Sequence, residues 1–555
     1  MIKDKIIKAL KDSSGAREIN LEFPDNEAFG DFTTNIALIL AKKTNSNPHE
    51  LAEGIVSKLD IDPDLDPIIE KIEVAGPGFI NFWLKKDALI DSLIEIDTAK
   101  EKYGENSSLK AQKLMIEFAH PNTHKAFHIG HLRNITTGEC LSRLLEGCEA
   151  EVIRANYQGD VGLHIAKALW GINKLGFSDP KDVKSRAEFL GKAYAVGSKA
   201  YEESESAKEE IHKINGKLYS KEDEKLNKLY QETRKWSLDY FDSIYKRVGT
   251  KFDRLYFESE CAQKGEKIAE KALKDGILEK SEGAVIFPGT KYGLHDRVFI
   301  TSLNVPTYEA KDLELAKLQF SEFDPDKILH IVGPEQAGYF QVVFKALELI
   351  LPETKGREVH IPYGWVKLKE GKMSSRTGQV VLGEWLLDEV KKEVNKVHPM
   401  PEEVAEAVAV GAVKYSFLKT GIEQELAFDI NESISLEGNS GPYLQYTVAR
   451  TNSVLAKATF KGESFKGKYS NLSEEELSVL RRLMKFQEVI QMAAKSYSPN
   501  LICNYLYDLA QKYNGFYNKY RILETGDFRL ALTFGVGQVL KNGLKLLGIQ
   551  APERM

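Results

Sequence analysis

The sequence predicts a multidomain α/β protein. A central, doubly wound parallel sheet domain of the Rossmann type carries an insertion, with an α+β module before it and an all-α helical bundle after it. Three observations lead there. At 555 residues the chain exceeds what one hydrophobic core usually holds, so about three to five domains are expected. Between 109 and 365, short apolar runs alternate with helix-like stripes, the rhythm of βαβ units. Beyond about 385, nearly every stretch carries a 3.6-residue apolar period.

In order along the chain, residues 1–108 form the first module. Helix-like spacing at 36–40 and 55–59 brackets Asn47-Pro48, a helix-start signal. Strand-like runs containing Ile72, Val74, Phe79, Ile80 and Phe82 flank the turn Gly76-Pro77-Gly78. Polar residues 105–108 read as a linker. The sheet domain, 109–365, begins with a strand at 114–119, a helix at 131–145, a strand at 151–157 and a helix running to 175. Residues 176–290 are rich in Lys and Glu, helical from 185 to 246, and read as one connective insertion. Alternation resumes with a strand at 298–302, a helix at 312–320, a strand at 327–333 and a helix at 336–351. Residues 366–430 hold a Gly- and Lys-rich loop, and 431–555 the bundle.

Composition narrows the class. With 42% apolar and 28% charged residues the chain reads as soluble and globular. No run of about 18 apolar residues offers a membrane span. Residues 1–11 alternate Lys with Ile and lack a signal-peptide core, so a cytoplasmic protein is expected. Cys140, Cys148, Cys261 and Cys503 show no CxxC spacing, against structural zinc and against a disulfide framework. A net charge of −6 does not announce nucleic-acid binding, although a large protein can gather its cations on one face.

Two short segments carry the chemistry. His128-Ile129-Gly130-His131 follows a predicted strand and opens a helix. Lys372-Met373-Ser374-Ser375-Arg376 sits in the Gly-rich loop after another. Imidazoles at a helix N-terminus and a basic loop suit ATP chemistry, where negative charge builds up as pyrophosphate leaves. Four histidines (His120, His124, His128, His131) raise a metal reading, but Pro121 breaks a continuous helix and no cysteine completes a tetrahedral set. An ATP site explains more. Gly130 lets adenine approach the backbone, His128 and His131 donate to phosphate, and Lys372 is the matching cation.

These segments resemble the HIGH and KMSKS signatures of class I aminoacyl-tRNA synthetases, and the surroundings resemble the arginyl-tRNA synthetases. Ser375 stands where the second lysine of KMSKS is usual. The resemblance implies that Lys125, just before the first signature, supplies that charge. It also implies an ATP site of Pro121, Gly130, His128, His131, Met373 and Ser374. Glu117, Asn122, Tyr308, Asp312 and Gln341 match the family's arginine-binding positions, and a guanidinium needs such carboxylates. Tyr308 and Asp312 would share a helix face. The N-terminal module, with Asn35 in Gly30-Asp31-Phe32-Thr33-Thr34-Asn35, resembles the family's tRNA-elbow domain, with Phe79 and Asn81 as nucleotide readers. The bundle resembles its anticodon domain, where Tyr443, Tyr446 and Tyr517 would be aromatic platforms for splayed bases. Ser302-Leu303-Asn304 and Pro334-Glu335-Gln336 depart from the family's usual turns.

The implied reaction joins L-arginine to tRNA(Arg) through arginyl-adenylate. ATP enters with Mg²⁺ as the substrate complex, and neither zinc nor an organic cofactor is called for. No membrane partner is expected, and a monomer is. A cysteine-specific class I enzyme fits less well, because zinc-ligand cysteines are missing and the pocket set is acidic. A synthetase-like RNA-binding protein without catalysis would be free to lose His128, His131 or Lys372, and all three are present.

Overall fold

The structure is a computed structural model that describes residues 2–24, 26–60, 62–369, 381–458, 469, 471–524 and 527–555. Its centre is a five-stranded sheet of β1 (Lys113–Glu117), β2 (Glu151–Gln158), β3 (Arg254–Phe257), β4 (Lys327–Val332) and β5 (Glu358–Pro362). The strand order is β5-β4-β1-β2-β3, and every pairing is parallel. From β1 the chain winds outward through β2 and β3, then crosses back to β4 and β5. The order therefore reverses between β1 and β4, and ligands of such sheets bind beyond the carboxyl ends at that switch point.

Helix α1 (Ile129–Glu146) follows β1 and is buried along most of its length, although it is not an apolar helix. Its polar residues are satisfied in place. The Asn134 amide accepts from Ala119 N–H at 2.6 Å and donates to the Ile331 carbonyl at 2.6 Å, tying the ends of β1 and β4 together. Glu139 accepts from Arg154 at 3.0 Å and from the Thr250 hydroxyl. Each such group, left unpaired, would cost about 1–3 kcal/mol.

Two sequence expectations are corrected here. Residues 176–290 are not one insertion, because β3 returns the chain to the parallel sheet within them. Before β3 come three helices, Val183–Glu203, Glu205–Ser220 and Glu224–Arg247. After it come helix Glu258–Lys274 and a three-stranded antiparallel sheet, Glu279–Ser281, Ala284–Phe287 and Arg297–Ile300. The strand expected at 298–302 thus pairs antiparallel in that small sheet. A strand pattern encodes burial, not partner.

The N-terminal module adds a helix, Ile2–Ser14, to a four-stranded antiparallel sheet. Asn47 caps helix Pro48–Leu59, its side chain accepting from His49 N–H at 2.9 Å. In the bundle, the stretch read as one helix from 474 to 496 is two, Glu474–Met484 and Phe486–Lys495. Among the described residues no helix is long and apolar enough to cross a membrane.

Candidate active site

The chain between β1 and α1 is strained before it is functional. Ala119, His120 and His124 have φ of 80°, 48° and 61°, a left-handed region that side chains other than glycine rarely adopt. The bonds of Asn134 to Ala119 and of Asn156 to His120 N–H (3.2 Å) hold that shape. His124 belongs to the scaffold: its Nε2 meets the Thr233 hydroxyl at 2.8 Å, and burial pulls its pKa down to about 3. Gly159 lies so close to Asn122 that a Cβ there would stand 2.1 Å from the Asn122 Oδ1.

His128 and His131 cap α1 reciprocally. The His131 N–H donates to His128 Nδ1 at 3.3 Å, and the His128 N–H donates to His131 Nδ1 at 3.2 Å. Their rings stack at 3.7 Å. Gly130 makes room for this, because a Cβ there would come within 2.9 Å of the His128 ring. Burial, then the nearby positive charge of Lys125, lowers the His128 pKa; burial and His128 itself lower that of His131. Both rings are therefore neutral, and with each Nδ1 accepting, the protons sit on Nε2. Two Nε2–H donors thus line one cavity at the start of a helix, as an oxyanion requires.

That cavity, of about 660 Å³ over the switch point, is lined by Glu117, Asn122, His128, His131, Tyr308 and Asp312 among others. Glu258, Glu309, Glu335 and Glu358 also line it, against Arg297 and His330. Glu258 pairs with buried Lys311 at 2.6 Å, and Glu309 with Arg297 at 3.3 Å. Asp312 has no cationic partner among the described residues; its carboxylate accepts from the Tyr339 hydroxyl at 2.6 Å. Burial, with the charge of Glu117 adding to it, pushes the Asp312 pKa up to about 7. Glu117 accepts from His330 Nδ1 at 2.9 Å and from the Gln319 amide. Among the described lining residues, carboxylates outnumber cations.

Tyr308 and Asp312 do share a face of α2 (Tyr308–Phe323), and both reach the cavity. Gln341 does not: it is exposed on helix Ala337–Ile350, away from the lining. Gln336, from the 3₁₀ turn Pro334–Gln336, lines the cavity instead, together with Tyr339. Pro121 is buried behind the lining. Lys125 stands half-buried, its Nζ 5.4 Å from the Tyr194 ring centre on helix Val183–Glu203.

Lys372, Met373 and Ser374 lie outside the described residues, as does Ser375. The described chain on either side docks against the first signature. Ile129 N–H donates to the Val381 carbonyl at 3.0 Å, and Gly383 N–H to the Phe127 carbonyl at 2.9 Å. On the other side, the buried Arg133 guanidinium donates to the carbonyls of Gly364 (2.8 Å), Trp365 (2.9 Å), Ile422 (3.1 Å) and Gln424 (2.7 Å). Burial without a carboxylate partner lowers its pKa to about 10. Arg133→Met should cost about 3–5 kcal/mol of stability, since it strands buried carbonyls. Chemical denaturation would show it as a lower midpoint with unchanged slope.

Farther off, Phe79 is 39% exposed at the start of strand Phe79–Leu84. Asn81, expected as a nucleotide reader, is buried, and its Oδ1 accepts from the Thr33 hydroxyl at 2.7 Å across the sheet. That bond ties the two strands together. In the bundle, Tyr443, Tyr446 and Tyr517 come together, all half-buried. The Arg450 guanidinium lies 4.9 Å from the Tyr446 ring centre and 5.0 Å from that of Tyr517. Asn514 joins the group, accepting from Arg450 at 2.5 Å and donating to the Tyr443 hydroxyl at 2.9 Å.

A parallel sheet whose switch point is overhung by a mutually capped histidine pair is the catalytic architecture of the class I aminoacyl-tRNA synthetases. Comparison agrees: residues 92–430 match the family model described as tRNA synthetases class I (R), catalytic domain. Residues 1–84 match the arginyl tRNA synthetase N terminal domain, and 444–555 the DALR anticodon binding domain. The arginine–tRNA ligase of Porphyromonas gingivalis is 33% identical over 526 residues, covering 88% of each chain. That of Bacteroides fragilis is 32% identical over the full length of both. The arginyl-tRNA synthetase structure of Thermus thermophilus shares the fold, with a TM-score of 0.82 at 24% identity over 100% of this chain and 99% of its own. The chain belongs to the arginyl-tRNA synthetase family.

Proposed function

We propose that this chain ligates L-arginine to tRNA(Arg) in two steps, through arginyl-adenylate, consuming ATP and releasing AMP and pyrophosphate. The observation that carries the reading is the excess of carboxylate over cation in the cavity that His128 and His131 also line, with Asp312 lacking a cationic partner among the described residues. A guanidinium is always charged and favours carboxylates at bidentate range. Asp312, Glu117 and Tyr308 hold that end of the substrate, while Asn122 and Gln336, which line the same cavity, take its α-amino and carboxylate end.

ATP enters with Mg²⁺ on its phosphates. The arginine carboxylate oxygen attacks the α-phosphorus in line, the bond to the bridging oxygen breaks, and pyrophosphate leaves with the electron pair. The Nε2–H groups of His128 and His131 and the positive end of the α1 dipole stabilise the charge gathering on phosphate. Lys125 and Lys372 serve as cations there, with Met373 and Ser374 beside Lys372 in the sequence. The terminal ribose hydroxyl of tRNA then attacks the arginyl carbonyl and AMP departs. No covalent enzyme intermediate is needed, because positioning and charge stabilisation suffice. The protein acts as a cytoplasmic monomer.

The cluster of Tyr443, Tyr446, Arg450 and Tyr517 holds anticodon bases by stacking. Arg450→Ala should raise the KM for tRNA about tenfold, from the loss of stacked cation contacts, and leave arginine and ATP constants unchanged. Steady-state charging with tRNA as the varied substrate checks this. The test of the whole reading is ATP–pyrophosphate exchange against a panel of amino acids, with and without tRNA. Exchange with arginine alone among the amino acids supports it; exchange with another amino acid in preference to arginine removes it.

A further inference from the structure

The cavity contains a histidine that the mechanism above does not use. His330 lies within β4 beside Glu117 at the end of β1, and the two are register partners in the parallel ladder, so their side chains leave the same face of the sheet. The imidazole is buried and bonded at both nitrogens. Nδ1 stands 2.9 Å from Glu117 Oε1, and Nε2 stands 2.6 Å from Oε2 of Glu358 on β5. The Phe340 and Phe344 rings close around it at 5.4 and 5.6 Å.

We propose that His330 is a positioning residue for arginine, its Nδ1–H fixing the plane and direction of the Glu117 carboxylate at the switch point. The inference rests on the arginine reading of the cavity. A carboxylate engages a guanidinium through two parallel N–H···O bonds, which demand a set plane. Glu117 has flexible torsions, and among the described residues two hydrogen bonds fix its oxygens: His330 on Oε1 and the Gln319 amide on Oε2. Glu358 performs the same service one step back, because its bond to Nε2 fixes the imidazole ring. Glu117, His330 and Glu358 all line the cavity. A pair serving only the core would not need to face the ligand space. Burial works against charge on His330, yet the two carboxylates together raise its pKa to about 10, so both ring nitrogens donate at neutral pH.

The experiment is arginine-dependent ATP–pyrophosphate exchange with His330→Leu and His330→Asn. The Asn amide nitrogen takes the place of Nδ1 and can donate to Glu117, although the bond to Glu358 is lost. His330→Leu should raise the arginine KM about 30-fold, with kcat and the ATP KM within about threefold, the pattern of lost ground-state binding. His330→Asn should recover the arginine KM to within about fivefold of the unsubstituted protein, through the retained hydrogen bond. An unchanged arginine KM in His330→Leu overturns the proposal. So does a fall in kcat at constant KM, or failure of Asn to recover what Leu loses. Should His330→Leu not fold because Glu358 is stranded, His330→Leu/Glu358→Met removes that carboxylate and carries the same expected rise in KM. Failure of the unsubstituted protein to exchange with arginine would remove the arginine reading itself. Normal exchange in every variant would remove only the role given to His330.

Discussion

Asp312→Ala should raise the KM for arginine by on the order of 100-fold or more, since truncating one partner of a desolvated charge pair costs about 2–5 kcal/mol. The affinity for ATP should hardly change. Asp312 is a buried cavity carboxylate without a cation of its own among the described residues, and its side chain accepts from the Tyr339 hydroxyl at 2.6 Å. Glu117, by contrast, already spends part of its charge on His330. Burial raises the Asp312 pKa to about 7, so in the free protein the carboxyl is largely protonated below that pH. Guanidinium binding favours the ionised form and expels the proton. Arginine affinity should therefore weaken as pH falls through 7, approaching tenfold per pH unit, a slope that follows from one-proton linkage. The same shift acts on folding with a definite sign. A raised carboxyl pKa contributes stability at low pH that is lost as pH rises from the ordinary aspartate range through about 7. Asp312→Asn should thus stabilise the protein at pH 8 relative to pH 4 while it abolishes the pH slope of arginine binding. Calorimetric titration with arginine at several pH values, in buffers of different ionisation heat, reads both slope and proton release. A flat affinity from pH 6 to 8 would refute the assignment.

His131→Ala should lower kcat for adenylate formation by about 10²- to 10³-fold, the usual effect of removing one preorganised donor from developing negative charge. It should also cost about 1 kcal/mol of stability, because the His131 ring caps the N-terminus of α1 as well as facing the phosphate site. These effects separate in His131→Asn, whose short side-chain oxygen can still accept from the His128 N–H but whose amide falls short of the phosphate. That variant should keep its melting temperature and lose its rate. Pre-steady-state adenylate formation, beside thermal unfolding, tests the split. Equal recovery of rate and stability in His131→Asn would mean that the imidazole is a cap only.

Much of this architecture is legible in the sequence because its strands are short apolar runs and its helices are striped. The elements around the first signature, β1, α1 and β2, fall within a few residues of their expected places. What escaped has physical causes. β3 is four residues long, follows a long charged helix and offers only the short apolar run Leu255-Tyr256-Phe257 to mark it. The strand Arg297–Ile300 shows the right period, but period does not reveal whether a partner is parallel. Nothing in the sequence tells that the sheet register sets Thr33 against Asn81. Gln341 and Gln336 differ by a little more than one helical turn. Only the 3₁₀ turn at Pro334–Gln336 decides which of them meets the cavity. His330 inside the apolar run of β4 reads as a core residue, and its partners lie 213 and 28 residues away. The reciprocal capping of His128 and His131 had a signal that could have been read, since polar side chains three apart at a helix start are the spacing of a capping box.

The measurement that bears most directly on the central claim is charging of total tRNA with each radiolabelled amino acid in turn, followed by identification of the acceptor. The account predicts that arginine alone is esterified, that ATP is required, and that the label is confined to tRNA(Arg). Stable attachment of any other amino acid, or ATP-dependent exchange with no amino acid ever transferred to tRNA, would contradict it.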